Sequence, residues 1–227
     1  MTQEMIRYYA SRAAEYDRVY ELSHWQPALA HLRGLVSQSF RGRRVFEVAC
    51  GTGYWTAQVA AVARHVRGTD INEETLAVAR ARVAGAANVD LAHADAYAPP
   101  ADYETFDAGL AALWLSHVAT ARMEEFLHAF HARLEPGGVV VMFDERNDPA
   151  RSARTTRTDG TGDRYERRRL KSGEEFEIIK NFFDRERLAA LLASYAADLV
   201  FEDFGRFWAV TYRRSSSGAP LQPHQTQ

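Results

Sequence analysis

Apolar and polar positions repeat in a regular order along the first 145 residues. The run Arg43 to Ala49, "RRVFEVA", is a short apolar block followed by "CGTG", after which Trp55, Val59, Val62 and Val66 recur at helical spacing. This predicts a strand, a tight turn and a helix. "HVRGTDI" predicts a second strand ending at Asp70, after which Asn72 caps a helix with Leu76, Ala79 and Val83 on one face. "NVDLAHAD" and "TFDAGLAALWL" predict a third and a fourth strand. Thr120 caps the next helix, with Met123, Phe126, Leu127, Phe130 and Leu134 inward, and "EPGG" turns the chain into a fifth strand, "VVVMFDE". Short strands separated by helical patterns predict an α/β fold with a parallel sheet covered on both faces. Its ligands gather at the C-terminal strand ends, the rim carrying Glu47 to Gly53, Asp70, Asp95, Leu113 and Asp144.

Beyond Arg146 the pattern changes. Positions 146–164 are polar, basic and rich in Thr, Asp and Gly, which reads as a loop or mobile lid. "RYERRRLKSGEEFEIIKNFF" predicts a hairpin turning at Ser172 and Gly173. Asp184 then caps a helix with Leu188, Leu191, Leu192 and Tyr195 as its stripe, and "DLVFEDFGRFWAVTYRR" predicts two strands joined around Gly205. The expected organisation is one domain over 1–214: a helical cover (1–40), a ligand-binding core (43–145), an insertion (146–181) and a closing helix with strands (182–214). The remainder, 215–227, reads as a disordered tail.

Composition narrows the chemistry. The chain has 227 residues, 46% hydrophobic and 26% charged, and its apolar runs are too short to span a bilayer. The N-terminus has no apolar secretory core, so a soluble, cytoplasmic protein, monomer or homodimer, is expected. A net charge of −2 gives no global attraction to nucleic acid or membrane. Cys50 is the only cysteine, which excludes an intramolecular disulfide and a multi-cysteine zinc site; no metal is expected.

The only lysines are Lys171 and Lys180, so the glycines at 51 and 53 lack the lysine of a phosphate loop. The dinucleotide pattern G-x-G-x-x-G has Thr56 at its third glycine, which disfavours a nicotinamide-dependent reductase. Asp70, 19 residues after Gly51 at a strand end, has the acceptor oxygens for ribose hydroxyls. Asp95 in "HADAY" can accept from an adenine amine, and Glu47 suits an ammonium or sulfonium cation. These positions together describe a nucleoside with a cationic arm.

In order, "FEVACGTG", "GTDIN", "HADAYAPP", "FDAGLAALWLSHV" and "LEPGGVVVMFDE" resemble the class I S-adenosylmethionine-dependent methyltransferases. Over about Arg7 to Arg213 the chain is similar to their small-molecule members, particularly the ubiquinone and menaquinone biosynthesis group. The resemblance implies a Rossmann-like, seven-stranded, mostly parallel sheet, S-adenosyl-L-methionine as cofactor and S-adenosyl-L-homocysteine as product. It implies methyl transfer to O or N of a small, cyclic or aromatic acceptor. Carbon methylation of a quinone precursor and a non-catalytic S-adenosylmethionine-binding regulatory protein are the alternatives.

The family's D-x-G-x-G-x-G motif is carried by Glu47, Ala49, Gly51 and Gly53, with Glu for Asp and Ala for the first Gly. The resemblance further implies Asp70 on the ribose, Ile71 on the adenine face, Asp95 and Ala96 at its edge, and Leu113 beside the methionine portion. The N-terminal helix is expected to fold over the pocket, with Tyr9 and Tyr16 on the cofactor. Trp25 and Trp55 join the cofactor-binding set; Tyr8, Trp114 and Arg146 form the substrate-binding set. His117 in "LWLSHV" is the general-base candidate. Nucleic acid is not expected as a partner, because no N/D-P-P-Y/F sequence follows the fourth strand.

Overall fold

A computed structural model describes residues 2–100, 105–148 and 154–216. Two helices, α1 (Gln3–Arg12) and α2 (Gln26–Phe40), precede the sheet and are joined by 3-10 turns over Ala13–Glu21 and Ser23–Trp25. The predicted alternation follows as β1 (Arg44–Val48), α3 (Tyr54–Ala60), β2 (His65–Asp70), α4 (Glu73–Arg82), β3 (Val89–His93), β4 (Phe106–Ala112), α5 (Met123–His131) and β5 (Leu134–Glu145). The "EPGG" segment, expected as a turn before β5, lies inside that strand, where its pairing with β4 shifts register between Phe106 and Ala108.

The main sheet runs β3-β2-β1-β4-β5-β10-β9, its last two strands being β9 (Ala196–Asp203) and β10 (Phe207–Arg214). The five strands from β3 to β5 are parallel, and β10 is antiparallel to both neighbours. Strand order reverses between β1 and β4, the position where an α/β sheet opens a crevice.

Side-chain alternation in the strands sorts residues to two faces. Phe46, Met142, Trp208 and Val210 pack with Phe126 and Phe130 of α5 and with Leu188 and Leu192 of α6 (Arg185–Leu192). Their neighbours Val45, Val141, Phe143 and Ala209 point the other way, onto Leu29, Leu32 and Val36 of α2 and Val59 of α3. Asp184 caps α6 as expected, accepting a hydrogen bond from the Arg187 N–H at 2.8 Å.

The insertion is more ordered than its sequence suggests. A second sheet pairs β6 (Thr155–Thr158), β7 (Arg164–Arg169) and β8 (Glu175–Ile179) antiparallel. Strands β7 and β8 are the predicted hairpin. Strand β6 lies where a loop or mobile lid was expected, because "TTRT" is short, polar and largely exposed and so has no apolar alternation to reveal it. Met5 and Tyr8 of α1 pack on Phe176, Ile178 and Ile179 of this sheet, and the Glu177 N–H donates to Glu4 Oε1 at 2.7 Å. The expected tail lies outside the described residues from position 217 onward.

A buried ionic knot joins the two sheets. Lys180 Nζ, 2% exposed, lies 2.8 Å from Ser116 Oγ, 3.1 Å from Asp144 Oδ1 and 3.3 Å from Glu145 Oε1. Asp144 also accepts the Ser116 N–H at 2.9 Å. Breaking one side of such a pair strands a charge away from water. Lys180→Met should therefore lower unfolding free energy by about 3–5 kcal/mol in urea titration. Adding Asp144→Asn should recover part of the loss, and a single variant as stable as the parent would contradict the arrangement.

Candidate active site

The loop between β1 and α3 holds three left-handed residues in five positions: Ala49 at φ 51°, Gly51 at 56° and Gly53 at 74°. Such a backbone costs a residue with a Cβ about 1–2 kcal/mol, a cost glycine escapes and Ala49 carries. The loop amides are engaged within the protein. Cys50 N–H donates to Thr69 O at 2.9 Å, Gly51 N–H to Asp70 Oδ2 at 2.9 Å and Gly53 N–H to Cys50 O at 3.0 Å. They are not pooled to cradle a phosphate, in agreement with the missing lysine. Gly53 faces α4 rather than the crevice: a Cβ there would meet Ala79 Cβ at 2.9 Å.

Above this loop, at the ends of β1, β2 and β4, lies a cavity. Glu47, Ala49 and Gly51 line it beside Trp55. Asp70, Ile71, Asp95 and Ala96 form a second wall, and Leu113, Trp114 and His117 a third. Tyr9 and Tyr16 enter from the N-terminal segment. Thirteen positions expected to contact cofactor or substrate, or to act in catalysis, thus meet around one space.

Each acidic group there has a distinct electrostatic role. Asp70 fixes the loop as well as facing the cavity: Oδ1 accepts the Asn72 N–H at 2.9 Å and the Thr75 hydroxyl at 3.1 Å, while Oδ2 accepts Gly51. Burial raises its pKa, and those hydrogen bonds pull it back. Asp95 Oδ1 accepts the Tyr97 N–H at 3.1 Å. Glu47 is 1% exposed, and its Oε2 has no hydrogen-bond partner. Burial pushes its pKa up to about 8, opposed by the Thr56 hydroxyl beside it. Glu47 thus offers the cavity an acceptor oxygen that the protein itself does not use.

His117 is held at both ring nitrogens. Nδ1 lies 2.7 Å from the Ile179 carbonyl, which only accepts, so Nδ1 carries the proton and Nε2 accepts from the Tyr9 hydroxyl at 2.8 Å. Burial pushes its pKa down to about 3, with the Lys180 charge adding to the effect. The expected general base is therefore neutral with its lone pair engaged.

Four expected positions lie outside the cavity wall: Gly53, Tyr8, Trp25 and Arg146. Tyr8 diverges from Tyr9 by about 100° around α1; its ring stays in edge contact with that of Tyr9, 4.9 Å between centroids, but leans onto Phe176 at 5.6 Å. Trp25 packs edge-on against Phe207, centroids 4.9 Å apart, and borders a neighbouring cleft. Arg146 is exposed and ion-paired with Asp203, its backbone N–H bonded to Arg206 O, which continues the β5–β10 pairing and points it away. Tyr20 and Thr75 line the cavity without having been expected. The aromatic series 9, 16, 20 and 25 was the available signal for Tyr20; Thr75 acts through Asp70, a contact invisible in sequence.

Comparison with known proteins places this geometry. Residues 45–138 match the family model described as a methyltransferase domain. A demethylmenaquinone methyltransferase of Clavibacter sepedonicus is 36% identical over 110 residues, 48% of this chain and 43% of the relative. The chain thus spans less than half of that relative's length. A solved DhpI–SAH complex is similar over 94% of this chain and 97% of its own, with 29% identity and a TM-score of 0.77. A DhpI–SAM–HEP complex is similar over 92% and 95%, with 29% identity and a TM-score of 0.75. Among the described residues no cluster of three or more His, Cys, Asp or Glu suits a metal ion, and no helix is long and apolar enough to cross a membrane.

The His117 geometry has a spectroscopic consequence. In ¹⁵N NMR the ring should remain in its neutral Nδ1–H form from pH 8 to about 5, because its pKa is held near 3. An ordinary titration near 6.5 would contradict the two hydrogen bonds. With the folded pKa below the unfolded one, the unfolded chain binds more protons under acid conditions. This histidine therefore removes stability as pH falls from 6.5 towards 3.

Proposed function

We propose that the chain is built on a class I S-adenosylmethionine-dependent methyltransferase domain and transfers a methyl group to an oxygen or nitrogen of a small acceptor, a reading supported by the methyltransferase-domain match and the DhpI likeness. The observation that carries this reading is the partnerless Glu47 oxygen inside the cavity that Asp70 and Asp95 also line. Bound there, S-adenosylmethionine supplies an electrophilic methyl on a sulfonium centre.

The residues divide the binding work. Glu47 takes the ammonium of the methionine portion, and Leu113 packs beside that portion. Asp70 accepts from the ribose hydroxyls with the lone pairs that Gly51, Asn72 and Thr75 leave free. Ile71 covers the adenine face, while Asp95 and Ala96 meet its edge. Tyr9, Tyr16 and Tyr20 roof the space and exclude water, with Tyr16 centred 6.0 Å from Tyr9 and 6.1 Å from Tyr20. Aromatic faces also attract a sulfonium cation. His117 acts as a positioning residue, holding Tyr9 rather than taking a proton. Rate then comes from alignment of acceptor and methyl in a closed site.

A second reading, carbon methylation of a quinone precursor, is favoured by the demethylmenaquinone methyltransferases among the relatives. Product mass and position of the new methyl group, after an acceptor screen with both phenolic and naphthoquinone-type compounds, separate the two. Cofactor binding with no turnover on any acceptor would instead favour a non-catalytic binding protein.

Two variants test the assignments. Asp70→Asn should weaken S-adenosylhomocysteine binding roughly ten-fold or more by calorimetry, the cost of losing a charge-assisted acceptor. Unchanged affinity would remove Asp70 from the ribose. Glu47 gives a pH signature. Its proton, held up to about pH 8 in the free protein, must leave when an ammonium binds, so affinity should rise as pH increases from 6 to 8, with proton release over that same range. Glu47→Gln should bind more weakly and lose this pH dependence. A parent protein with no proton release would overturn the ammonium assignment.

A further inference from the structure

We infer that the methyl acceptor is an oxyanion held by Arg12, Arg18, Arg154 and Arg168 in the cleft beside the cofactor cavity, and that its own charged oxygen receives the methyl group. The inference rests on the methyltransferase reading and names the substrate class of that site.

The cleft is continuous with the cavity, since Tyr9, Tyr16, Leu113 and His117 line both. Arg12, Arg18, Arg154 and Arg168 line its remaining wall, and the same four continue into a wider basin with Arg167, Arg169 and Lys171. The chain as a whole carries a net charge of −2, so this concentration of cations is local. The carboxylate in the cleft, Glu145, lies 3.3 Å from Lys180 Nζ and is engaged by it. In the basin Glu15 is engaged by Lys171 at 3.0 Å.

Arg12 and Arg168 are each held in place by neighbours within the protein. Arg12 Nη1 donates to the Tyr8 hydroxyl at 2.8 Å, and its guanidinium lies 5.3 Å from the Tyr16 ring centroid, which orients it while keeping its charge. Arg168 pairs with Glu166 through Nη2 at 2.6 Å, while its buried Nε has no hydrogen-bond partner. Guanidinium groups converging from α1 and β7 match the several oxygens of a phosphate, a phosphonate or a carboxylate.

The second observation is the absence of a free base among the described lining residues. His117 Nε2 already accepts from Tyr9. Asp70, Asp95 and Glu47 line the cofactor cavity and not the cleft, and Glu145, which does line the cleft, is paired with Lys180. A neutral alcohol or phenol would have nowhere to leave its proton in this cleft, whereas an oxyanion arrives without one. In the transfer its oxygen lone pair forms the new O–CH₃ bond. The S–CH₃ bond breaks with its electron pair going to sulfur, and the products are a methyl ester and a neutral thioether. No proton moves, and the remaining oxygens stay on the arginines.

The test begins with calorimetric binding of S-adenosylhomocysteine, then titrates the loaded protein with phenyl phosphate, benzoate and benzyl alcohol. At least one anion should bind about ten-fold more tightly than the alcohol, and its preference for tetrahedral or planar charge names the acid class. Arg12→Met and Arg18→Met should each weaken that anion several-fold, up to about ten-fold, while affinity for S-adenosylhomocysteine shows that each variant is folded. Equal binding of anion and alcohol, or anion binding indifferent to both substitutions, overturns the inference while leaving cofactor binding intact. Failure of S-adenosylhomocysteine to bind overturns the methyltransferase reading itself. With labelled cofactor at saturation, label should enter the methyl ester of the favoured anion, at a rate flat from about pH 6.5 to 8.5. Label in the alcohol's methyl ether, or a rate rising with a base ionisation, overturns the oxyanion as nucleophile.

Discussion

Lys180 buried against Asp144 is the interaction on which the arrangement of the crevice depends. Two opposite charges removed from water must stay together, because either alone is far costlier than the pair. Asp144 ends β5 and Lys180 follows β8, so the pair sets where the small sheet stands relative to the large one. Neighbouring bonds extend the constraint. The Asn181 N–H donates to Ser116 O, its side-chain amide donates to Val118 O at 3.1 Å and to Asp163 Oδ1 at 2.8 Å, and Asp163 accepts from Thr120. The segment after β4 is thereby fixed at several points. His117 rides on that segment, and its Nδ1 is bonded to Ile179 of β8.

Much of the cofactor side was legible because it is written in short-range pattern. Strand β1, its glycine turn and α3 are contiguous, and Asp70 sits at the end of the short strand that "HVRGTDI" predicts. The acceptor side is assembled from distant positions and was harder to read. Nothing near Lys180 says that its partner is Asp144, 36 residues earlier. His117 was recognised as well placed, yet its protonation depends on Ile179 and Tyr9, contributed by β8 and α1. Arg146 lies outside the cavity wall because pairing with β10 decides where it points, and pairing is a long-range fact.

Charge is segregated in the crevice in a way the overall balance conceals. Glu47, Asp70 and Asp95 face the cavity, while the neighbouring cleft is lined by arginines from α1, the turn after it and β7. A cofactor that brings a cationic sulfur and an acceptor that brings an anion would each meet the opposite sign on the protein, and each other's charge between the two walls. Such a field favours the bound pair before reaction. It would weaken its hold on both once methyl transfer to such an acceptor had neutralised the sulfonium and one oxygen charge.

Helix α1 belongs to both spaces. Tyr9 lines the cavity, Arg12 lines the cleft, and the helix rests on β8 through Met5 and Tyr8. A displacement of this ten-residue helix large enough to uncover one ligand unmakes the wall of the other. Traffic through the two spaces would therefore be coupled mechanically. A protein that exchanges its ligands by moving α1 surrenders the spent cofactor and its grip on the second molecule in the same event, and reloads both before the roof can close again.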